Sequence, residues 1–98
     1  MKKQITEEML DEFYELVLSI NSKEDCKNLF DDLCTIKEVE QMAQRVRAAK
    51  LLMEGMTYNQ VIDETDISSA TLSRVSRCVR YGKGYVTLMK VDGNDKND

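Results

Sequence analysis

Small hydroxylated side chains and arginines are concentrated in one stretch of the chain, between residues 57 and 83. Segment 68–71 consists of small residues, three of them hydroxylated, and Arg74, Arg77 and Arg80 follow it. Small residues let the start of a helix approach another molecule closely, and their hydroxyl and backbone N–H groups can donate to phosphates or base edges. Guanidinium groups bind phosphate. These residue types in this order predict a surface that binds nucleic acid.

Residues 57–75 have the layout of a helix-turn-helix. Thr57 is a predicted cap for a short helix that ends near Thr65, and a second helix is expected from about Ser69 to Arg80. The turn lacks the usual glycine, and Asp66 stands in its place, which an aspartate tolerates in the left-handed region. An ordinary solvated amphipathic helix is the alternative interpretation of the same pattern.

The helical phase of the second helix separates an apolar stripe from a polar face. At about 100° per residue, Leu72, Val75 and Val79 share the stripe that is expected to pack inward. Arg74 lies at the far edge of the polar face, with Thr71 and Cys78 on the boundary beside it. The polar face itself carries Ser69, Ala70, Ser73, Arg77 and Arg80.

The amino-acid composition argues against catalysis, metal binding and a membrane span. The chain has no histidine, so the commonest general base and the commonest transition-metal ligand are both missing. Cys26, Cys34 and Cys78 show no CxxC spacing, which argues against a disulfide framework or a zinc site and favours a reducing cytoplasm. No apolar run reaches the roughly 18–20 residues of a membrane span, and no signal peptide is expected. We therefore predict a cytoplasmic protein that is not an enzyme, with no cofactor, metal site or membrane contact.

The net charge of −4 is unevenly distributed. Residues 1–40 carry 5 basic and 11 acidic residues, a net of −6, whereas residues 41–91 carry 8 and 4, a net of +4. Between residues 71 and 90 there are five basic residues and no acidic one. Such asymmetry favours a localised surface for an anionic partner.

The remaining sequence predicts the helices that position this surface. Thr6 is the expected cap of a first helix to about Ile20, and Ser22 begins a second. A T-x-x-E capping box at Thr35 begins a third, which is followed by Gly55 as its C′ residue. Gly82 and Gly84 precede a last helix around residues 85–91. We expect an all-α fold of about six helices, a single domain over residues 1–91, and a flexible polar tail at 92–98.

The first helix indicates a dimer. Six of the eight residues from Phe13 to Ile20 are apolar, so this helix must be covered on several sides. A chain of 98 residues buries only about 60–65% of its unfolded surface, too little to surround such a helix alone. Burial between two copies of the chain is the simpler interpretation.

Five segments form a pattern that is specific when taken together: Leu33–Glu38, Gln44–Arg47, Leu51–Leu52, Ser69–Arg74 and Tyr81–Tyr85. These segments resemble the Trp-repressor superfamily, and most of all its YerC/YecD-type subgroup. The resemblance covers about residues 9–91 and implies an all-helical, intertwined homodimer with two DNA-reading heads.

The resemblance places Ser69, Ala70, Thr71 and Ser73 in the major groove. Asn59 stands where the family has an arginine that contacts a base. The operator of the tryptophan-sensing members therefore cannot be assumed to be the DNA sequence that this chain recognises. We add Gln60 and Arg77 to the predicted DNA contacts because both are expected to be exposed. Lys83 is added as a predicted phosphate contact. The full predicted DNA-binding set is Thr57, Asn59, Gln60, Ser68, Ser69, Ala70, Thr71, Ser73, Arg74, Arg77 and Lys83.

The resemblance also implies an effector pocket, but with departures. Arg45 and Arg74 match the arginines that hold the corepressor. Tryptophan-sensing members have glycine in place of Val75, and Cys78, a poor acceptor, replaces a polar residue that meets the ligand's amino group. We predict a pocket that includes Thr35 and these four residues but does not respond to tryptophan. In that case the two arginines bind phosphates, helix ends or a different anion. Core packing alone is the alternative explanation of Val75.

We therefore expect a sequence-specific double-stranded DNA-binding transcriptional regulator, acting as a repressor, with any corepressor unknown. The competing interpretation is a dimeric helical protein-interaction module whose helix-turn-helix has lost DNA contact.

Overall fold

The computed structural model describes residues 4–89, which form six α-helices and no strand. The all-α prediction is confirmed over this range. None of the described helices is both long and apolar enough to cross a membrane. The helices are α1 (Glu7–Leu18), α2 (Lys23–Leu33), α3 (Ile36–Met53), α4 (Tyr58–Thr65), α5 (Ser69–Tyr81) and α6 (Gly84–Leu88).

Three helices begin at the predicted caps Thr6, Ser22 and Thr57, and α5 is capped in the same way by Ser68, for which no cap was predicted. The hydroxyl oxygens of Thr6, Ser22, Thr57 and Ser68 each accept a hydrogen bond from the backbone N–H three residues later. Each bond satisfies one of the N–H groups that the first turn of a helix leaves without an intrahelical acceptor.

Two helix ends differ from the prediction. α1 stops at Leu18 rather than Ile20, because the Ser19 hydroxyl donates to the Leu16 carbonyl (2.7 Å) and closes the last turn. α6 covers Gly84–Leu88 rather than 85–91, because Met89 has extended backbone angles. Residue 91 and the predicted tail at 92–98 lie outside the described residues.

The chain divides into two compact units, one up to Ile36 and one from Lys37. The prediction of one domain over residues 1–91 stays a prediction. In the first unit neither α1 nor α2 buries any residue. Large apolar side chains of α1 are therefore left exposed: Met9, Leu10, Phe13, Tyr14, Leu16 and Leu18.

The second unit has its own core, built where α3 meets the helix-turn-helix. The predicted stripe of α5 packs inward, with Leu72 0% and Val75 1% exposed. Val79 packs against the same core and is half-buried. The buried apolar residues are Ala48, Ala49 and Leu51 of α3, Val61 of α4, Ile67 of the turn, and Leu72 and Val75 of α5.

The turn between α4 and α5 depends on the left-handed backbone of Asp66, at φ 59° and ψ 25°. Alanine in this region costs about 1 kcal/mol because Cβ crowds the following carbonyl, and aspartate tolerates it better. We expect Asp66→Ala to lower the free energy of unfolding by about 1 kcal/mol. Urea denaturation monitored by circular dichroism measures this loss.

Asp63→Ala is the matched control, because Asp63 is exposed on α4 with helical backbone. We expect its unfolding free energy to change by no more than about 0.5 kcal/mol. Equal losses in the two variants would contradict the assignment of strain to the turn.

Candidate nucleic-acid interface

The helix-turn-helix is held together by a three-residue turn with a buried anchor. The N–H of Asp66 donates to the Ile62 carbonyl at 2.8 Å, which ends α4. Ile67 follows and is 4% exposed within the core. The turn therefore fixes the start of α5 against the rest of the second unit.

The first turn of α5 combines a capping serine with exposed small residues. The Ser68 hydroxyl oxygen accepts from the Thr71 N–H at 3.2 Å, and the same hydroxyl donates to Thr71 Oγ1 at 3.0 Å. Ser69 and Ala70 are exposed. Because the first N–H groups of a helix have no intrahelical acceptor, this end of α5 presents donors and positive dipole to an anion.

The outward face of α5 is polar and basic, as predicted. Six of its residues are exposed, whereas Thr71 is half-buried at the edge of the face. No acidic residue occurs between positions 67 and 89. The exposed residues are Ser69, Ala70, Ser73, Arg74, Arg77 and Arg80.

The predicted contacts on α4 are exposed, but two of them also have a structural role. The Thr57 N–H donates to Gln60 Oε1 at 2.9 Å, and Thr57 Oγ1 accepts from the Gln60 N–H at 3.2 Å. Gln60 was predicted only as a DNA contact, although the T-x-x-Q spacing also indicates this capping box. Asn59 and Lys83 are exposed as expected. A role of all four in DNA binding stays a prediction.

A cavity of about 400 Å³ lies behind this face, between α3, α5 and α6. It brings together four of the five residues predicted for an effector pocket. Thr35 belongs to the first unit, and its part in such a pocket stays a prediction. The cavity is lined by Arg45, Ala70, Thr71, Arg74, Val75, Cys78 and Tyr85.

The cavity chemistry suits an anion. Within residues 4–89, neither Arg45 nor Arg74 has a carboxylate within ion-pair distance, so both guanidinium groups are open to an external partner. Val75 fills part of the wall and also belongs to the core. Its place in the core is thus observed, whereas its part in an effector pocket stays a prediction.

Tyr85, which is not among the residues predicted for the pocket, packs against the core and also lines the cavity wall. Gly82 makes its position possible: a Cβ there would lie 2.7 Å from the Cys78 carbonyl oxygen. The Gly82 N–H donates to that same carbonyl at 2.9 Å, which closes α5. The glycine thus permits the tight exit from α5 that leads into α6.

Among the described residues, no three histidine, cysteine, aspartate or glutamate side chains are grouped so that they could hold a metal ion. Cys26, Cys34 and Cys78 are free thiols and half-buried.

Comparison with known proteins agrees with this architecture. The sequence profile of the family described as Trp repressor protein matches residues 8–90. The uncharacterized protein YerC of Bacillus subtilis (strain 168) is 48% identical over 73 residues, which cover 74% of this chain and 70% of YerC.

Two solved structures share the fold. A candidate Trp repressor from Staphylococcus aureus superposes with a TM-score of 0.78 at 36% identity, covering 83% of this chain and 82% of that one. A TrpR-like protein from Eubacterium eligens ATCC 27750 gives 0.76 at 35% identity, covering 83% and 84%. The helical architecture, the helix-turn-helix and the extent of the profile match lead to one conclusion: the chain belongs to the Trp repressor family.

Proposed function

We propose that this chain is a sequence-specific double-stranded DNA-binding transcriptional regulator that acts as a homodimeric repressor. One observation carries the proposal: α5 follows a tight left-handed turn and exposes a face of small hydroxylated residues and arginines. Family membership supports the DNA-binding class.

Two kinds of contact are assigned to this face. The small residues Ser69, Ala70 and Ser73 approach base edges in the major groove, where hydroxyls can both donate and accept. Arg77 and Lys83 bind phosphates, which position the helix and carry no sequence information themselves. Asn59, exposed on α4, adds a side chain that can make two hydrogen bonds to adenine.

The homodimer is proposed from α1. Its exposed apolar side chains have no cover within the first unit, and a second copy of the chain would supply one. A two-fold dimer presents two copies of α5, so its operator is pseudo-palindromic with half-site centres about 34–36 Å apart.

We propose that the cavity behind α5 binds an anionic ligand that is not tryptophan. The alternative is a regulator that acts without any ligand. Its two guanidinium groups favour a carboxylate or phosphate. Val75 occupies wall space that an indole ring would need.

DNA binding is tested by gel shift of random-sequence duplexes at about 50 and 200 mM salt. A dimer that neutralises 4–8 phosphates has a slope of log K against log salt of about −4 to −7. We therefore expect affinity to fall roughly 10²- to 10⁴-fold between the two conditions. Absence of a shift at low salt would reject the proposal and favour a protein-interaction module.

Arg77→Ala and Lys50→Ala form a matched pair in the same experiment. Both side chains are exposed and both changes remove one positive charge, but Lys50 lies on α3, outside the proposed face. Two lost phosphate contacts per dimer make the slope shallower by about 2 for Arg77→Ala. Unchanged binding by this variant would reject the assignment of Arg77.

Sedimentation equilibrium tests the dimer, with an expected mass of twice the 11.3 kDa of the chain. Leu16→Asp places a charge on the exposed apolar side of α1, and we expect it to raise the dimer dissociation constant at least about tenfold, because the carboxylate would be buried without a partner. Glu12→Ala, on the same helix, should leave the mass unchanged. A wild-type protein of 11.3 kDa at micromolar concentration would refute the dimer.

Titration calorimetry tests the effector proposal. We expect no heat of binding when tryptophan is added to the purified protein, because Val75 narrows the slot and Cys78 accepts hydrogen bonds poorly. Arginine-rich pockets also trap buffer anions, so the titration should be run in a phosphate-free buffer. Tight tryptophan binding would overturn the prediction.

A further inference from the structure

Thr65, at the end of α4, is the buried polar residue of the described part of the chain. Its hydroxyl donates to the Val61 carbonyl at 2.7 Å and accepts from the Ile67 N–H at 3.3 Å. The side chain thereby ties the last turn of α4 to the turn that follows it.

The backbone carbonyl of Thr65 has a different partner. The last four carbonyls of a helix have no intrahelical N–H, and one that is kept from water requires another donor. Gln44 Nε2 of α3 donates to the Thr65 carbonyl at 3.0 Å, and the bond is partly buried. It spans 21 residues and joins α3 directly to the turn of the helix-turn-helix.

Gln44 lies one helical turn before Ala48, so the two residues share a face of α3. Ala48 is 0% exposed and, having only a methyl group, allows the neighbouring backbone to come close. Apolar packing around Ala48 is non-directional, whereas a hydrogen bond fixes both a distance and an angle. The Gln44 amide therefore supplies the directional contact at this junction.

We propose that Gln44 is a positioning residue for DNA recognition: its hydrogen bond to the Thr65 carbonyl sets the direction in which α5 leaves the turn. The inference rests on the proposed function, because it concerns how α5 meets DNA. Gln44 itself belongs neither to the outward face of α5 nor to the cavity behind that face.

The length of α5 makes this direction important. With 13 residues it is about 20 Å long, so a tilt of about 10° at the turn displaces its far end by about 3 Å and Ser73, about 7 Å along the helix, by about 1 Å. Hydrogen bonds to base edges tolerate only a few tenths of an ångström. Flexible arginines at the far end can follow a phosphate through such a tilt, but serines cannot follow a base edge.

The test compares Gln44→Met with Gln41→Met. Methionine matches glutamine in length and helix propensity but cannot donate a hydrogen bond. Gln41 is exposed on the same helix and lines the same surface cleft as Gln44. For each protein, affinity is measured for duplexes selected from a random pool by the wild type and for unselected duplexes.

We expect Gln44→Met to lower the ratio of the two affinities about tenfold, while Gln41→Met stays within about twofold of wild type. Partial unfolding lowers both affinities by the same factor and leaves their ratio unchanged, so the ratio reports orientation and not stability. An unchanged ratio in Gln44→Met would overturn this inference but not the proposed function. A wild-type protein that does not discriminate between the duplexes would overturn the proposed function and this inference together.

Hydrogen exchange of the Asp66 and Ile67 amides without DNA gives a second measurement. Loss of the Gln44 bond should speed exchange at both amides about tenfold relative to amides in the middle of α3. Equal exchange rates in Gln44→Met and wild type would overturn the inference whatever the DNA measurements give.

Discussion

The close contact between α3 and the helix-turn-helix is the constraint on which the rest of the second unit depends. Ala48 and Ala49 are both fully buried there, and they share one core with Val61, Ile67 and Leu72 of the helix-turn-helix. Larger side chains at the alanines would push α4 and α5 away and forfeit dispersion contacts. Both the outward face of α5 and the cavity behind it are consequences of this contact.

The two candidate surfaces share residues, and this sharing connects them physically. Ala70, Thr71 and Arg74 belong to the predicted DNA-binding set and also line the cavity. A guanidinium turned toward an anion in the cavity is withdrawn from a phosphate outside. Under the proposed function, occupation of the cavity would therefore oppose the contact of Arg74 with DNA.

Local signals in the sequence predicted much of this arrangement. The cap at Thr57, the left-handed Asp66 and the inward stripe of α5 all follow from residue types within one or two helical turns. The Gln44 contact with Thr65 could not be predicted, because the partners are 21 residues apart and one of them is a backbone carbonyl. The position of Tyr85 in the cavity wall could not be predicted either. It depends on the backbone path at Gly82, which leads into α6, and not on a spacing pattern.

The shortness of the side chains on the first turn of α5 has an entropic consequence. Serine and alanine lose little or no rotamer freedom when they are immobilised, whereas an arginine loses up to about 2 kcal/mol. A face built around Ser69, Ala70 and Ser73 thus orders at low entropic cost. Short side chains cannot adapt to a displaced base, so in the proposed function such a face would demand a rigid backbone, and its selectivity would depend on the stiffness of the whole unit.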